Sequence, residues 1–207
     1  EPDKAAFVAR FGVPLFEGYG SSENAIVLLP APRARSGALG TAQEGDDIAV
    51  VDAATGEECP RARFDDDGRW LNPGEAIGEL VGRNRAGGFE GYYRNPQAEA
   101  ERTRGGWYWS GDLAYCDDDG VFYFAGRAGE WLRVDSENFA AAPVDRILAR
   151  YPSATGAAVY AVPDARTGDQ VMAALELPAG AAGDPAGFAA WLDDQPDLGT
   201  KWAPQPD

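Results

Sequence analysis

The chain has 207 residues with 18 basic and 34 acidic side chains. The resulting net charge of −16 repels phosphate backbones and anionic lipid surfaces, which argues against nucleic-acid binding. Hydrophobic residues make up 44% and aromatics 11%, enough for a buried core in one large or two small domains, so global disorder is excluded. There is no histidine, and there are two cysteines, Cys59 and Cys116, so Ser-His and Cys-His catalysis, a disulfide framework and a zinc site are excluded as well. Any catalysis falls to carboxylates, hydroxyls, backbone amides, Arg or Lys, or a hard metal.

Residues 3–11 read as the end of a helix closed by Gly12. Val13-Pro14-Leu15-Phe16 reads as a short buried strand, and Glu17 to Glu23 as a Gly/Ser loop. Ala25 to Leu29 is strand-like, stopped by Pro30. Residues 31–75 are loop-rich, with one β-branched strand from Asp47 to Asp52 and a turn at Asp65-Asp66-Asp67-Gly68. A further strand runs from Ala76 to Gly82, its glycines admitting close backbone approach. Asn95 suits a helix N-cap and Pro96 the first helical position, so a helix runs to Arg102 and ends near Gly105-Gly106. Trp107–Trp109 and Asp112–Cys116 read as two strands. Asp117-Asp118-Asp119-Gly120 turns the chain back into Val121–Ala125, an Asp-Gly hairpin. The texture changes near residue 128. A strand at Trp131–Val134 leads through a polar loop or cap at Glu137-Asn138 to a helix whose Val144, Ile147, Leu148 and Tyr151 share one face. Strands at Ala157–Val162 and Gln170–Leu177 follow. A Gly/Ala/Pro connector spans residues 178–186, and Asp184-Pro185 opens a last helix with Phe188, Trp191 and Leu192 on one face. The residues after 194 read as an unfinished tail. The fold class is α+β, with a small β-α-β-β-α unit after residue 128.

Three stretches concentrate polar chemistry. In Gly18-Tyr19-Gly20-Ser21-Ser22-Glu23 the glycines let a planar group approach the Tyr19 ring, the hydroxyls suit phosphate oxygens and Glu23 suits Mg²⁺. Asp112, behind Ser110-Gly111 at a strand edge, can accept hydrogen bonds from vicinal hydroxyls such as those of a ribose. Arg127 after Gly126 can bond ribose or phosphate, and the flanking Gly126 and Gly129 suit a hinge. Taken singly, each stretch equally suits a solvated turn, a turn Asp or a surface ion pair. The Trp107-Tyr108-Trp109 run reads as core. The two Asp-Asp-Asp-Gly runs lack the later ligands of a calcium loop and read as turns.

Taken in order, these segments resemble the adenylate-forming superfamily of acyl-CoA synthetases, adenylation domains and luciferases. Tyr19-Gly20-Ser21-Ser22-Glu23 is similar to its tyrosine-glycine-x-threonine/serine-glutamate motif, and Gly78-Glu79-Leu80 with Gly91-Tyr92 to the next block. Trp109-Ser110-Gly111-Asp112 resembles the serine/threonine-glycine-aspartate block, Gly126-Arg127 to Asn138-Phe139 the hinge block, and Val162-Pro163-Asp164 with Gly168-Asp169 a later one. The run from Trp131 to Ala140 looks most like fatty acyl-CoA synthetases of the fatty-acid-transport type. The resemblance implies that residues 1–127 are the C-terminal part of a large AMP-binding domain, ending in a β-barrel-like subdomain. It implies that 128–207 form most of a small mobile C-terminal domain. It implies an adenine stacked on Tyr19 beside Gly20, Ser22 at the α-phosphate or acyl carboxylate, Mg²⁺ on Glu23, and ribose hydroxyls held by Asp112 and Arg127. The reaction implied is attack of a fatty-acid carboxylate on the α-phosphate of ATP, then displacement of AMP by the thiol of CoA.

The chain departs from that pattern in several places. The family's Ser/Thr/Gly-rich phosphate loop with its Lys is absent, and Lys201 stands before the place where the catalytic Lys motif would begin. Gly129 occupies the hinge position where Asp or Lys is usual, and Ser136 a position usually Gly in the loop lining the thiol path. The expectation is a fragment of an acid–thiol ligase, inactive alone, whose partners are small molecules and not nucleic acid. Glu1 as first residue, Met172 as sole methionine, and no signal peptide or apolar run near the ~20 residues of a membrane span suggest part of a cytoplasmic protein. Peripheral membrane association and oligomeric state stay open. The rival expectations are an acyl-AMP ligase or other adenylating enzyme, and a non-catalytic nucleotide-binding or interaction module.

Overall fold

The computed structural model describes residues 2–35, 37–84, 88–128, 131–134, 137–164, 168–198 and 203–204. The first part of the chain runs α1 (Pro2–Phe11), β1 (Tyr19–Gly20), β2 (Val27–Leu28), β3 (Ala38–Thr41), β4 (Ile48–Val51), α2 (Pro73–Ala76), β5 (Gly78–Gly82), α3 (Pro96–Arg102), β6 (Thr103–Arg104), β7 (Trp107–Cys116) and β8 (Val121–Arg127). β1 and β2 form a small hairpin. The strands β3-β8-β7-β5-β4 form one antiparallel sheet in that spatial order, with β6 added beside β7. The sheet is a curled half-barrel. The second part contains β9 (Trp131–Val134), β10 (Glu137–Ala140), α4 (Ala141–Leu148), β11 (Gly156–Asp164), β12 (Gly168–Glu176) and α5 (Pro185–Asp193). Its antiparallel sheet has the order β10-β9-β12-β11.

Local chemistry explains most of these elements. The Asn95 side chain accepts from the Ala98 N–H at 3.1 Å and Asp184 from the Gly187 N–H at 2.9 Å, so α3 and α5 each begin with a capped first turn followed by Pro. The Asp117 carboxylate accepts from the backbone of Asp119 and Val121 and from the Tyr123 hydroxyl, which fixes the β7–β8 turn. Gly78 makes the close approach expected of it, because a Cβ there would clash with the Val51 carbonyl.

β7 and β8 present side chains to two apolar layers. Ile26, Leu80, Tyr108 and Phe122 meet on one side, Val51, Val81 and Trp109 on the other, so adjacent Tyr108 and Trp109 are both buried. Leu113, Tyr115 and Tyr123 form a further layer that takes in Ala140 of β10. Leu132, Phe139, Val144, Leu148, Val171 and Leu192 form the core of the second sheet with α4 and α5. Trp70 packs against both of these last two layers.

Several expectations need correction. Val13 to Phe16 is not a strand: it pairs with none of the described strands, and Val13, Leu15 and Phe16 are exposed. The strand at Ala25–Leu29 shrinks to Val27–Leu28 because Ser21 ties the hairpin loop tightly, its Oγ accepting from the Ala25 and Ile26 N–H groups at 3.2 and 3.3 Å. The loop-rich span 31–75 holds two further elements, β3 and α2. The two strands read at Trp107–Trp109 and Asp112–Cys116 are one strand interrupted by a bulge, and β8 continues to Arg127. Glu137-Asn138 lies in β10, paired with Val134 and Arg133, not in a loop or cap, so the second part reads β-β-α-β-β-α. Tyr151 lies beyond α4 but packs on Phe188 and Trp191. Gly129, Ser136 and Lys201 lie outside the described residues.

Candidate functional site

Asp112 is the centre of the site. It sits on β7, directly opposite Arg127 of β8, and is only 6% exposed. Its Oδ2 accepts a hydrogen bond from the Tyr19 hydroxyl at 2.6 Å, and its Oδ1 lies 2.7 Å from Arg127 Nη1. Three residues read separately from the sequence therefore meet on one carboxylate. Burial first, and the bond to Asp112 second, push the Tyr19 phenol far above its ordinary pKa, so it remains a donor. The Asp112 N–H donates to Ser110 Oγ at 3.1 Å, and that hydroxyl donates to the Leu80 carbonyl at 2.7 Å. The carboxylate is thus fixed by its own backbone, by β5 and by two side chains.

Glu23 forms the second half of the site. The β1–β2 loop places it near Tyr92, whose hydroxyl donates to Glu23 Oε1 at 2.5 Å. That bond is the main reason the Glu23 carboxyl is held below its ordinary pKa; burial works against it. The positive charge of Arg102, at the end of α3, acts in the same direction on Glu23 and also reaches Tyr92 and Tyr108. Buried Tyr108 is pushed up to about 12, by desolvation first and then by the charge of Glu23. Ser22 is exposed at the loop tip, whereas Ser21 is committed to the loop backbone. A Cβ at Gly20 would meet nothing within 4 Å, so the space beside Tyr19 is open.

Among the described residues no group of three or more His, Cys, Asp or Glu side chains converges on a metal position. A lone ionised carboxylate such as Glu23 fits Mg²⁺, which takes one or two protein carboxylates and completes its shell with water and substrate phosphates. It does not fit zinc or a fully protein-caged calcium. Among the described residues no helix is long and apolar enough to cross a membrane.

Four residues that support the site escaped the sequence reading as participants: Tyr92, Arg102, Glu79 and Tyr108. The Gly91-Tyr92 dipeptide was visible as part of a motif, but its partner lies 69 residues away. Glu79 stood in another motif with no role attached to it.

No family model matches the chain. It is 55% identical over 203 residues to the steroid-22-oyl-CoA synthetase of Rhodococcus jostii, an alignment covering 98% of this chain and 36% of that protein. It is 49% identical over 198 residues to a medium/long-chain-fatty-acid–CoA ligase of Mycobacterium tuberculosis, covering 96% of this chain and 36% of the relative. The chain thus spans a little over a third of the length of the curated relatives it matches. Among solved structures, ATP-bound MatB of Rhodopseudomonas palustris superimposes with a TM-score of 0.74 at 27% identity, over 99% of this chain and 38% of that one. Near-complete coverage at this identity, together with the shared fold, means that the chain belongs to the adenylate-forming superfamily of acyl-CoA synthetases.

Proposed function

We propose that the chain is the nucleoside-binding part of an acyl-CoA synthetase that joins a fatty acid to CoA at the expense of ATP. Residues 1–127 form the late part of its AMP-binding domain and 128–207 most of its small mobile domain. The observation that carries this reading is the buried Asp112 carboxylate bracketed by Tyr19 and Arg127. A carboxylate has about four acceptor positions, so Tyr19 and Arg127 leave capacity for the two vicinal hydroxyls of a ribose. Tyr19, beside the open space at Gly20, takes the adenine face, and Ser22 at the exposed tip reaches the α-phosphate or the acyl carboxylate. Glu23 holds Mg²⁺, which when bound neutralises phosphate charge. Tyr92 and Arg102 keep Glu23 anionic for that task. The carboxylate of the acid attacks the α-phosphorus, the bond to pyrophosphate breaks, and the thiol of CoA then takes the acyl group and releases AMP. Such transfer depends on positioning and charge neutralisation, which is what this site is built from.

Fatty-acid-dependent ATP–pyrophosphate exchange by the full-length protein tests the reaction, and its absence would sink it. Detection of the CoA thioester, as against accumulation of acyl-AMP, separates a CoA ligase from an acyl-AMP ligase. On AMP binding measured by calorimetry, Asp112→Ala should lose about tenfold or more, the worth of a hydrogen bond to a charged group. Unchanged binding would favour a non-catalytic module. The 55% identity to a steroid-22-oyl-CoA synthetase supports a second reading of the acid, a steroid bearing a side-chain carboxylate. Comparing kcat/KM for such an acid with that for a long-chain fatty acid decides between the two.

A further inference from the structure

Glu79 is a buried charge in an otherwise apolar strand, Gly78-Glu79-Leu80-Val81-Gly82, with its side chain only 7% exposed. A carboxylate in such a place is costly unless every oxygen is satisfied. Its Oε1 accepts the Gly111 N–H at 2.9 Å, and its Oε2 lies 3.3 Å from Arg104 Nη2. Arg104 in turn lies over the Trp109 ring, 4.0 Å from its centroid.

The location of these bonds gives them a meaning. β5 and β7 pair as Val81↔Trp109 and then as Glu79↔Leu113, so between these pairs one residue of β5, Leu80, faces three of β7. The surplus is a bulge at Ser110-Gly111-Asp112, with Gly111 at φ 74°. A bulge re-aims the side chain that follows it, and here that side chain is Asp112. Glu79 holds the bulge from one side. Arg102 closes the other: its Nη1 donates to the Trp109 carbonyl at 3.3 Å and fills the space that a Cβ on Gly111 would need.

We infer that Glu79 is a positioning residue for nucleotide binding: by accepting the Gly111 N–H it sets the bulge that aims Asp112 at Tyr19 and Arg127. It touches no substrate and acts through Asp112. The inference rests on the nucleotide reading of Asp112 given above.

The test uses the full-length protein with Glu79→Leu, which keeps the volume and removes the acceptor, and Glu79→Gln, which keeps an amide oxygen for Gly111. Glu79→Leu is expected to raise the KM for ATP and the Kd for AMP about tenfold, with the KM of the acid unchanged, and Glu79→Gln to restore both to within about threefold. In an Asp112→Asn background Glu79→Leu is expected to have no further effect on AMP affinity, because the two act in series. Wild-type-like AMP binding by Glu79→Leu, or a parallel fall of kcat and rise of both KM values without rescue by Glu79→Gln, overturns the inference. Should Glu79→Leu fail to fold, Glu79→Gln and Arg104→Met carry the test. Both are expected to keep AMP affinity within about threefold, because the Gly111 N–H retains its acceptor, and a loss beyond tenfold in either overturns it. A readout without nucleotide separates the two ideas. The Asp112 carboxyl ¹³C resonance of the unliganded protein should move in Glu79→Leu and return in Glu79→Gln. That pattern with no AMP binding by the wild type would sink the nucleotide reading and leave the positioning role standing; an unmoved resonance would sink the positioning role.

Discussion

At the residue scale the site consists of two carboxylates held in different ways. Asp112 is buried and held by a cation and a phenol, whereas Glu23 is nearer to solvent and has the Tyr92 hydroxyl as its largest support. Tyr92→Phe removes that hydroxyl and little else. The Glu23 carboxyl should then rise toward the ordinary glutamate value, since the Tyr92 bond is the largest cause of its depression. A depressed carboxylate contributes above its unfolded pKa and loses that contribution as pH falls through its folded pKa. The acid limb of Mg²⁺-dependent activity should therefore move to higher pH in Tyr92→Phe, with the plateau near neutrality retained. A pH profile of exchange activity, with the Glu23 titration followed by NMR, checks this; an unshifted limb would mean that the backbone, Tyr108 and Arg102, and not Tyr92, set the charge. The motif residues Tyr19, Glu23, Asp112 and Arg127 were legible in the sequence because their types and order carry the resemblance. Their mutual bonds were not, because Tyr19 and Asp112 are 93 positions apart and only strand register brings them together.

At the element scale, β7 shows how a loop signal and a bulge signal look alike in sequence. Ser110-Gly111 reads as a break between two strands, yet the strand runs on through a left-handed glycine. Gly120, in the turn that follows, has nearly the same φ, 76° against 74°. The surroundings differ: a Cβ on Gly120 meets nothing within 4 Å, while one on Gly111 clashes with the Arg102 guanidinium. Gly120→Ala should cost only the conformational term, about 1–2 kcal/mol. Gly111→Ala adds overpacking, another ~1–3 kcal/mol, and moves Asp112 besides. Urea unfolding of the two variants checks the difference, and equal losses would show that Arg102 swings aside freely. The capped helices α3 and α5 and the Asp-Gly hairpin were legible because their signals are local. β10 was not: its Glu-Asn start has no strand pattern, and pairing with β9 makes it a strand. Val13 to Phe16 failed the other way, an apolar run with the pattern of a strand and no strand partner among the described residues.

At the scale of the whole molecule, the two sheets share a boundary where Trp70 packs against both cores and Arg146 of α4 donates to the Phe124 carbonyl of β8 at 2.6 Å. The change of texture near residue 128 marks where the two parts meet along the chain, but these contacts depend on long-range packing and leave no local signal. Composition does bear on how the fold responds to pH, because a chain of net charge −16 gains further negative charge only against its own repulsion. The groups that would gain it are largely buried. Desolvation pushes the Cys59 and Cys116 thiols from an ordinary 9.0 up to about 11, and the Tyr108 phenol from 10.0 to about 12; Tyr19 and Tyr123 shift the same way. An acid whose folded pKa is raised holds its proton more tightly in the fold than in the unfolded chain. Its contribution is full below the unfolded pKa and is lost as pH rises through the folded one. Stability should therefore hold up to pH 9.0, decline first as the thiols ionise toward about 11, and decline further as Tyr108 ionises between 10.0 and about 12. Urea midpoints across this range check the order. In a Cys59→Ala, Cys116→Ala double variant the decline should begin near pH 10.0, where Tyr108 starts to ionise in the unfolded chain, instead of 9.0. An onset unchanged by the double substitution would assign the alkaline loss to surface charge repulsion instead of to the buried thiols.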